Sequence, residues 1–360
     1  MTAPFSTGVT TVAEQGDAGA ELRAFAPEAR VVRRRRRRLV RVLAPYLLTI
    51  AFLLTVNFFL PRAMPGDPVS ALLDQSAPTY VADDAARAEL DAYYGLDRPL
   101  PEQYLGYLRD LAQGDLGTSI RYRAPVADLI VERLPWTLLL ATTALGLASV
   151  VGVAAGIHSG WGRGRLLDRS LLSLFLGVRN FPAFFLASIG LFVFSVQLGW
   201  FPLAGATTPF SESLGPLGRL ADIAHHLVLP ATVMAVQFSA FQYLVMRAAM
   251  VSELGADYLL LGRAKGLHER RLKYRYAARN ALLPVVSLTG VQFGFAVSGV
   301  VIFVETVFAY PGVGRLLFEA VGFQDYPTLQ GCFLVLTLLV VAANLVADLV
   351  SARLDPRATG

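Results

Sequence analysis

The sequence predicts an all-α polytopic membrane protein of about six transmembrane helices, and three observations carry that prediction. Hydrophobic residues make up 54% of the 360 and charged ones only 16%, with a mean hydropathy of +0.51, a balance too apolar for a water-facing globule. Several runs of roughly 20 residues carry no ionised side chain, the length a helix needs to cross about 30 Å of hydrocarbon. The remaining charges gather in the connections between those runs.

Residues 1–41 are expected to be a disordered basic cytoplasmic tail. They lack an apolar period up to about residue 29, and then come Arg30, the run Arg33 to Arg38, and Arg41, cations that orient a span and meet anionic headgroups. That run supplies much of the net charge of +5. The basic balance therefore does not point to nucleic acid, since no basic patch interleaved with aromatics lies on a soluble segment. The first span, 42–61, exceeds a signal-peptide core and is followed by Pro61-Arg-Ala-Met-Pro65 rather than a small-residue cleavage site, so it reads as an uncleaved anchor.

Residues 62–135 form the longest connection. They are rich in acids (Asp67, Asp74, Asp83, Asp84, Glu89, Asp91, Asp97), with short amphipathic helices expected at 88–93 and 104–111 and a turn at Gly114-Asp-Leu-Gly117. The further spans are expected at 136–158, 170–199, 226–247, 285–308 and 331–352. Pro182 in the third removes a backbone bond, which predicts a kink or a break into a re-entrant pair. Residues 159–169 carry Arg163, Arg165 and Arg169, and residues 248–284 carry Arg263, Lys265, Arg270, Arg271, Lys273, Arg275 and Arg279. Cations mark cytoplasmic loops, so both termini are expected inside, with 62–135 an external subdomain in which Ser119 is accessible. No Pro- or Ser-rich linker divides 42–357, which reads as one domain.

Catalytic signatures are missing from the sequence. It contains no phosphate-loop G-x-x-x-x-G-K-[ST], no G-x-S-x-G, no C-x-x-C and no complete H-E-x-x-H, so the chain reads as no enzyme, with no cofactor and no metal of its own. His225-His226 is read as an ordinary interfacial pair. Gly152-x-x-x-Gly156 and Gly290-x-x-x-Gly294 each put two small residues on one helix face, which permits close helix packing. The only cysteine, Cys332, excludes a disulfide within the chain.

The stretch 252–284 is the most informative. It reads as two short basic helices, Glu253 to Ala264 and Glu269 to Leu282, interrupted at Gly266. Such an element either lies on the lipid surface or docks a cytoplasmic partner.

Asp257-Tyr258 with Arg263-Ala-Lys-Gly-Leu267 and then Arg279-Asn-Ala-Leu-Leu-Pro284 closely resemble the EAA cytoplasmic loop of permeases of the dipeptide, oligopeptide and nickel type of ABC importer. Pro65-Gly-Asp-Pro68, Tyr94-Gly-Leu-Asp-Arg-Pro99, Gly114-Asp-Leu-Gly-Thr-Ser119, Glu305-Thr306, Tyr310-Pro-Gly-Val-Gly314, Asp325-Tyr-Pro327 and Asn344-Leu-Val-Ala-Asp348 look like the B-type subunit of that family, in order over about residues 42–357. The resemblance implies a paralogous permease as partner, two ATPase domains that bind ATP and Mg on other chains, an extracytoplasmic substrate-binding protein, and a bilayer around the whole. Residue by residue, it makes Ala264, Lys265, Gly266 and Leu267 the turn of the ATPase-coupling helix, flanked by Glu253, Asp257, Arg263, Glu269 and Arg270. Leu260 and Leu261 depart from the small residues usual at the head of the signature, and Asn180-Phe-Pro182 replaces the usual Ser-Ile-Pro.

Five polar residues inside the spans are candidates for the pathway or for an interface: Arg179, Asn180, Glu305, Asn344 and Asp348. An intramembrane arginine costs about 2.5–3.5 kcal/mol on insertion scales unless it faces protein or water. Arg179 therefore either attracts a substrate carboxylate in the pathway or pairs at a subunit interface, with Glu305 and Asp348 the nearest acids by depth. Asn344 and Asp348 share a helix face. A polytopic enzyme and a membrane scaffold without a pathway are the rival classes, the first disfavoured by the missing catalytic clusters.

Overall fold

The computed structural model describes residues 48–59, 62–63 and 98–354, with the side chains of 348 and 350–354 left aside. Two compact units divide the chain after Leu53. Of the first, only the start of helix α1 (Leu48–Phe59) falls within the described residues. The second holds the rest of the described chain. The expected basic tail and the helix expected at 88–93 lie outside the described residues, as do the ends of the expected first span.

Among the described residues nine further helices follow: α2 (Leu100–Ala112), α3 (Val126–Trp161), α4 (Leu166–Arg179), α5 (Ala183–Gln197), α6 (Ser211–Glu253), α7 (Asp257–Ala264), α8 (Glu269–Val307), α9 (Val313–Gly322) and α10 (Tyr326–Leu354). Of these, α3, α6, α8 and α10 are long and apolar enough to cross a membrane, and the bent pair α4–α5 makes up to five.

α3 lies along α6 because its glycines leave no room for anything larger. A Cβ at Gly152 would stand 2.7 Å from the Ser239 carbonyl oxygen, one at Gly156 2.7 Å from Met246 Cβ, and one at Gly160 2.5 Å from Met250 Cβ. The second glycine pair works likewise, with Gly290 meeting Ala347 Cβ of α10 at 2.2 Å. Without water to drive apolar surfaces together inside a bilayer, such close backbone approach is the main source of helix association. Both pairs are packing elements, as their spacing predicts. Leu140 and Ala144 of α3, Met234 and Phe238 of α6, Val297 and Val301 of α8 and Leu336 of α10 fill the core between them.

The structure moves several predicted boundaries. α6 runs on to Glu253, and α7 begins only at Asp257, so the first loop helix is shorter than expected at its start. The second does not stop at Leu282. It passes through Pro284 into the next span as one 39-residue helix, α8, about 58 Å long against about 30 Å of hydrocarbon. Proline inside a membrane helix costs less than in water because neighbouring helices can re-satisfy the freed carbonyl. At Pro182 the outcome is the stronger of the two expected: α4 and α5 are bent by 99°. The proline disfavours the α region for Phe181, and Pro182 stands as the residue preceding α5 rather than inside a helix. Ser119 is 1% exposed, which corrects its expected accessibility.

Candidate functional site

At the basic end of the bundle the chain leaves α6 and enters a compact hairpin. α7 ends at Ala264, and Gly266 takes φ +73°, a left-handed conformation glycine adopts without a Cβ penalty. Two backbone bonds close the turn, Gly266 N–H to the Arg263 carbonyl at 2.9 Å and Leu267 N–H to the Gly262 carbonyl at 3.0 Å, the paired pattern of a Schellman C-cap. His268 then starts α8, its Nδ1 accepting from Arg270 N–H at 3.2 Å. The sequence Gly-Arg-Ala-Lys-Gly-Leu-His thus encodes stop, turn and restart within seven residues.

The hairpin is anchored from within. Leu259 of α7 and Leu272 of α8 are fully buried with Ile157, Met246 and Met250 from α3 and α6. A Cβ at Gly262 would come within 2.5 Å of Leu272 Cδ2, so α7 and α8 touch there. Arg263 and Glu269 form an exposed ion pair of 3.0 Å across the turn, worth only about 0–1 kcal/mol. The Tyr258 hydroxyl donates to the Glu253 carboxylate. Burial first and that acceptor second push the Tyr258 phenol up to about 12. Asp257, Ala264, Lys265, Gly266 and Arg270 face outward, as do Leu260 and Leu261, 69% and 56% exposed. The two leucines stand side by side on the outer face of α7.

Next to the hairpin, Asp168 in the first turn of α4 is 2% exposed. It accepts from Arg247 Nε at 2.6 Å and a second guanidinium nitrogen at 2.9 Å, from Ser159 Oγ at 2.5 Å and from Gly164 N–H at 2.8 Å. This carboxylate ties α3, α4 and α6 together where they meet the loop. Sequence reasoning passed over Asp168 and Arg247, because 79 residues separate them and neither stands in a motif.

The intramembrane polar residues do not assemble into one site. Glu305 is fully enclosed by this chain, its carboxylate accepting from Thr137 Oγ1 at 2.7 Å and from Arg315 N–H at 3.0 Å, while Thr137 Oγ1 accepts from Val313 N–H at 2.8 Å. It holds the positive end of α9, and Gly312 is needed because a Cβ there would lie about 2 Å from the carboxylate. Glu305 is therefore no partner for Arg179, contrary to the depth argument. Arg179 lies exposed at the end of α4 over the Phe241 ring, 4.7 Å from its centroid. Asn180 beside it folds its amide back onto the Leu176 carbonyl at 2.8 Å. Asn344 is half-buried on α10 near Gly294, and the Asp348 side chain lies outside the described residues. At the same end as α9, Asp325 receives Ser119 Oγ at 2.5 Å, Ile120 N–H at 3.1 Å and Thr328 Oγ1 at 2.8 Å. Two distant motif segments meet there. His225 and His226 bond the Trp200 and Asp222 carbonyl oxygens, and no group of three or more metal-ligating side chains occurs among the described residues.

A bundle of long apolar helices with a helical hairpin at its basic end defines a multi-pass membrane protein. Residues 148–360 match the family described as binding-protein-dependent transport system inner membrane component. The chain belongs to that family and is a permease subunit of an ABC importer, located in the membrane, and not an enzyme. A protein of Brucella suis biovar 1 named as a peptide permease is 42% identical over 302 residues, 83% of this chain and 92% of that one. The glutathione transport system permease protein of Escherichia coli K12 is 36% identical over 311 residues, 86% of this chain and 95% of that one. Among solved structures, an amino acid ABC transporter aligns over 63% of this chain and 94% of that one, at TM-score 0.47 and 14% identity.

Proposed function

We propose that this chain forms, with a paralogous permease, the translocation path for peptides or similar small solutes, and that the path opens to either side by alternating access. A binding protein delivers solute to the face carrying α9, and the basic end faces the cytoplasm, where two ATPase domains on other chains bind ATP and Mg. The names of the relatives in Brucella and Escherichia support a peptide-like cargo.

The observation that carries the proposal is the α7–turn–α8 hairpin. It presents Asp257, Leu260, Leu261, Ala264 and Lys265 outward, while its buried leucines join the cluster shared with α3 and α6. Because α8 is continuous from Glu269 to Val307, a displacement of the hairpin is a displacement of a spanning helix. An ATPase closing on this element moves the bundle as a rigid body.

The test is co-expression of this chain with its neighbouring permease, ATPases and binding protein, followed by reconstitution in vesicles. ATP hydrolysis is expected only in the full complex and peptide uptake only with both permeases present. A homodimer of this chain that transports at the full rate overturns the heterodimer.

A further inference from the structure

We infer that Arg179 is a carboxylate-binding residue of the translocation path, taking the C-terminal carboxylate of a peptide as it crosses the break between α4 and α5. This rests on the proposed peptide cargo and names the group on that cargo that is recognised.

Four arginines elsewhere in the described chain reach carboxylates: Arg247 meets Asp168, Arg263 meets Glu269, and Arg315 and Arg133 meet Glu319. Among the described residues none lies within that reach of Arg179. Its guanidinium stacks on Phe241 instead, 4.7 Å from the ring centroid, and the residue is exposed. Phe241 is six residues from Arg247 along α6, about 9 Å deeper into the apolar span, so this cation stands well inside the bundle's apolar stretch. Such residues face water-filled cavities or partners rather than lipid, and they mark substrate paths.

The backbone adds to the same potential. α4 and α5 are bent by 99° at residues 180–182, and the start of α5 has no side-chain cap. The Asn180 amide, the nearest polar side chain in sequence, is turned away onto Leu176. The free N–H groups of the first turn of α5 carry partial positive charge, and a discontinuous membrane helix that aims such an end at an anionic cargo group is a recurring arrangement in transporters. Phe181, Phe184 and Phe185 are exposed around the break, apolar walls beside a cationic point. That combination suits a peptide, with one fixed anionic end and variable side chains, more than a sugar or a free inorganic ion.

The experiment uses the full complex in vesicles, with radiolabelled trialanine and its C-terminal amide as probes and with Arg179→Gln and Arg179→Lys as variants. Arg179→Gln is expected to lower trialanine uptake at least tenfold relative to wild type, to leave whatever amide uptake the wild type shows within about twofold, and to leave the permeases and ATPases co-purifying. Arg179→Lys is expected to restore a substantial part of trialanine uptake. Equal loss of both probes together with loss of co-purification overturns the inference and assigns Arg179 to pairing across the subunit interface. Unchanged trialanine uptake in Arg179→Gln overturns it outright. A wild-type complex that imports neither probe overturns the peptide reading, and this inference with it.

Discussion

Replacing Gly266 separates the folding of the loop from its use. Gly266 sits at φ +73°, and a Cβ built there meets nothing within 4 Å, so a new side chain clashes with no part of this chain. The cost that remains is backbone strain, about 1–2 kcal/mol for an L-residue in the left-handed region and toward the upper end of about 1–3 kcal/mol for a β-branched one. Against a total stability of about 5–15 kcal/mol, Gly266→Val is therefore expected to insert and accumulate near normally, as judged by immunoblot of membranes. Its side chain projects from the tip of the hairpin, where the proposed function docks an ATPase. Peptide uptake should fall to a small fraction of wild type, and ATPase co-purification should weaken or hydrolysis lose its response to substrate. Gly266→Asn is the control for strain, since asparagine tolerates this conformation better than other residues. If strain alone mattered, Asn would be nearly silent, whereas a tight ATPase groove rejects both. Normal uptake with normal ATPase association in Gly266→Val would refute the role of this turn and return the hairpin to a basic element lying on lipid.

Thr137→Val removes the donor to Glu305 and the acceptor of Val313 N–H, and leaving buried polar groups unpaired is expected to cost about 1–3 kcal/mol, read as a lowered melting temperature of the purified complex. Gly152→Ala forces a methyl against the Ser239 carbonyl and is expected to destabilise the α3–α6 pair by about 1–3 kcal/mol. The readout is the same melting assay, with Gly146→Ala, which meets nothing, as the neutral control. Thr118→Cys, exposed where neighbouring Ser119 is buried, should be labelled from outside intact cells by an impermeant maleimide. Cys332 is buried and gives little background, and labelling only after permeabilisation would invert the proposed orientation.

Much of this protein was legible in one dimension because a bilayer reduces the choices. Backbone groups in hydrocarbon must bond within their own segment, so a run of apolar residues of sufficient length is already a helix, and the four long helices fall where those runs are. The glycine spacings told which faces approach closely, and Gly266 could be read as a turn from its position between two amphipathic stretches. The extent of α8 could not, because proline and a cluster of cations usually end a helix, and only burial of Leu272, Ala277 and Ala281 against α3 and α6 carries it through Pro284.

Partnership between distant residues was beyond the sequence altogether. Segment identity, hydrophobic length and the left-handed turn are local properties, set by a few consecutive side chains and the solvent around them. Which carboxylate meets which donor is set by where whole helices come to rest. Depth alone offered Glu305 and Asp348 as candidate partners for Arg179. The tertiary structure gave Glu305 to Thr137 and the start of α9, Asp168 to Arg247, and Asp325 to Ser119. It left Arg179 at a broken helix without an acid from the described chain, because a carboxylate is claimed by the donors that packing brings within about 3 Å, whatever its distance along the sequence.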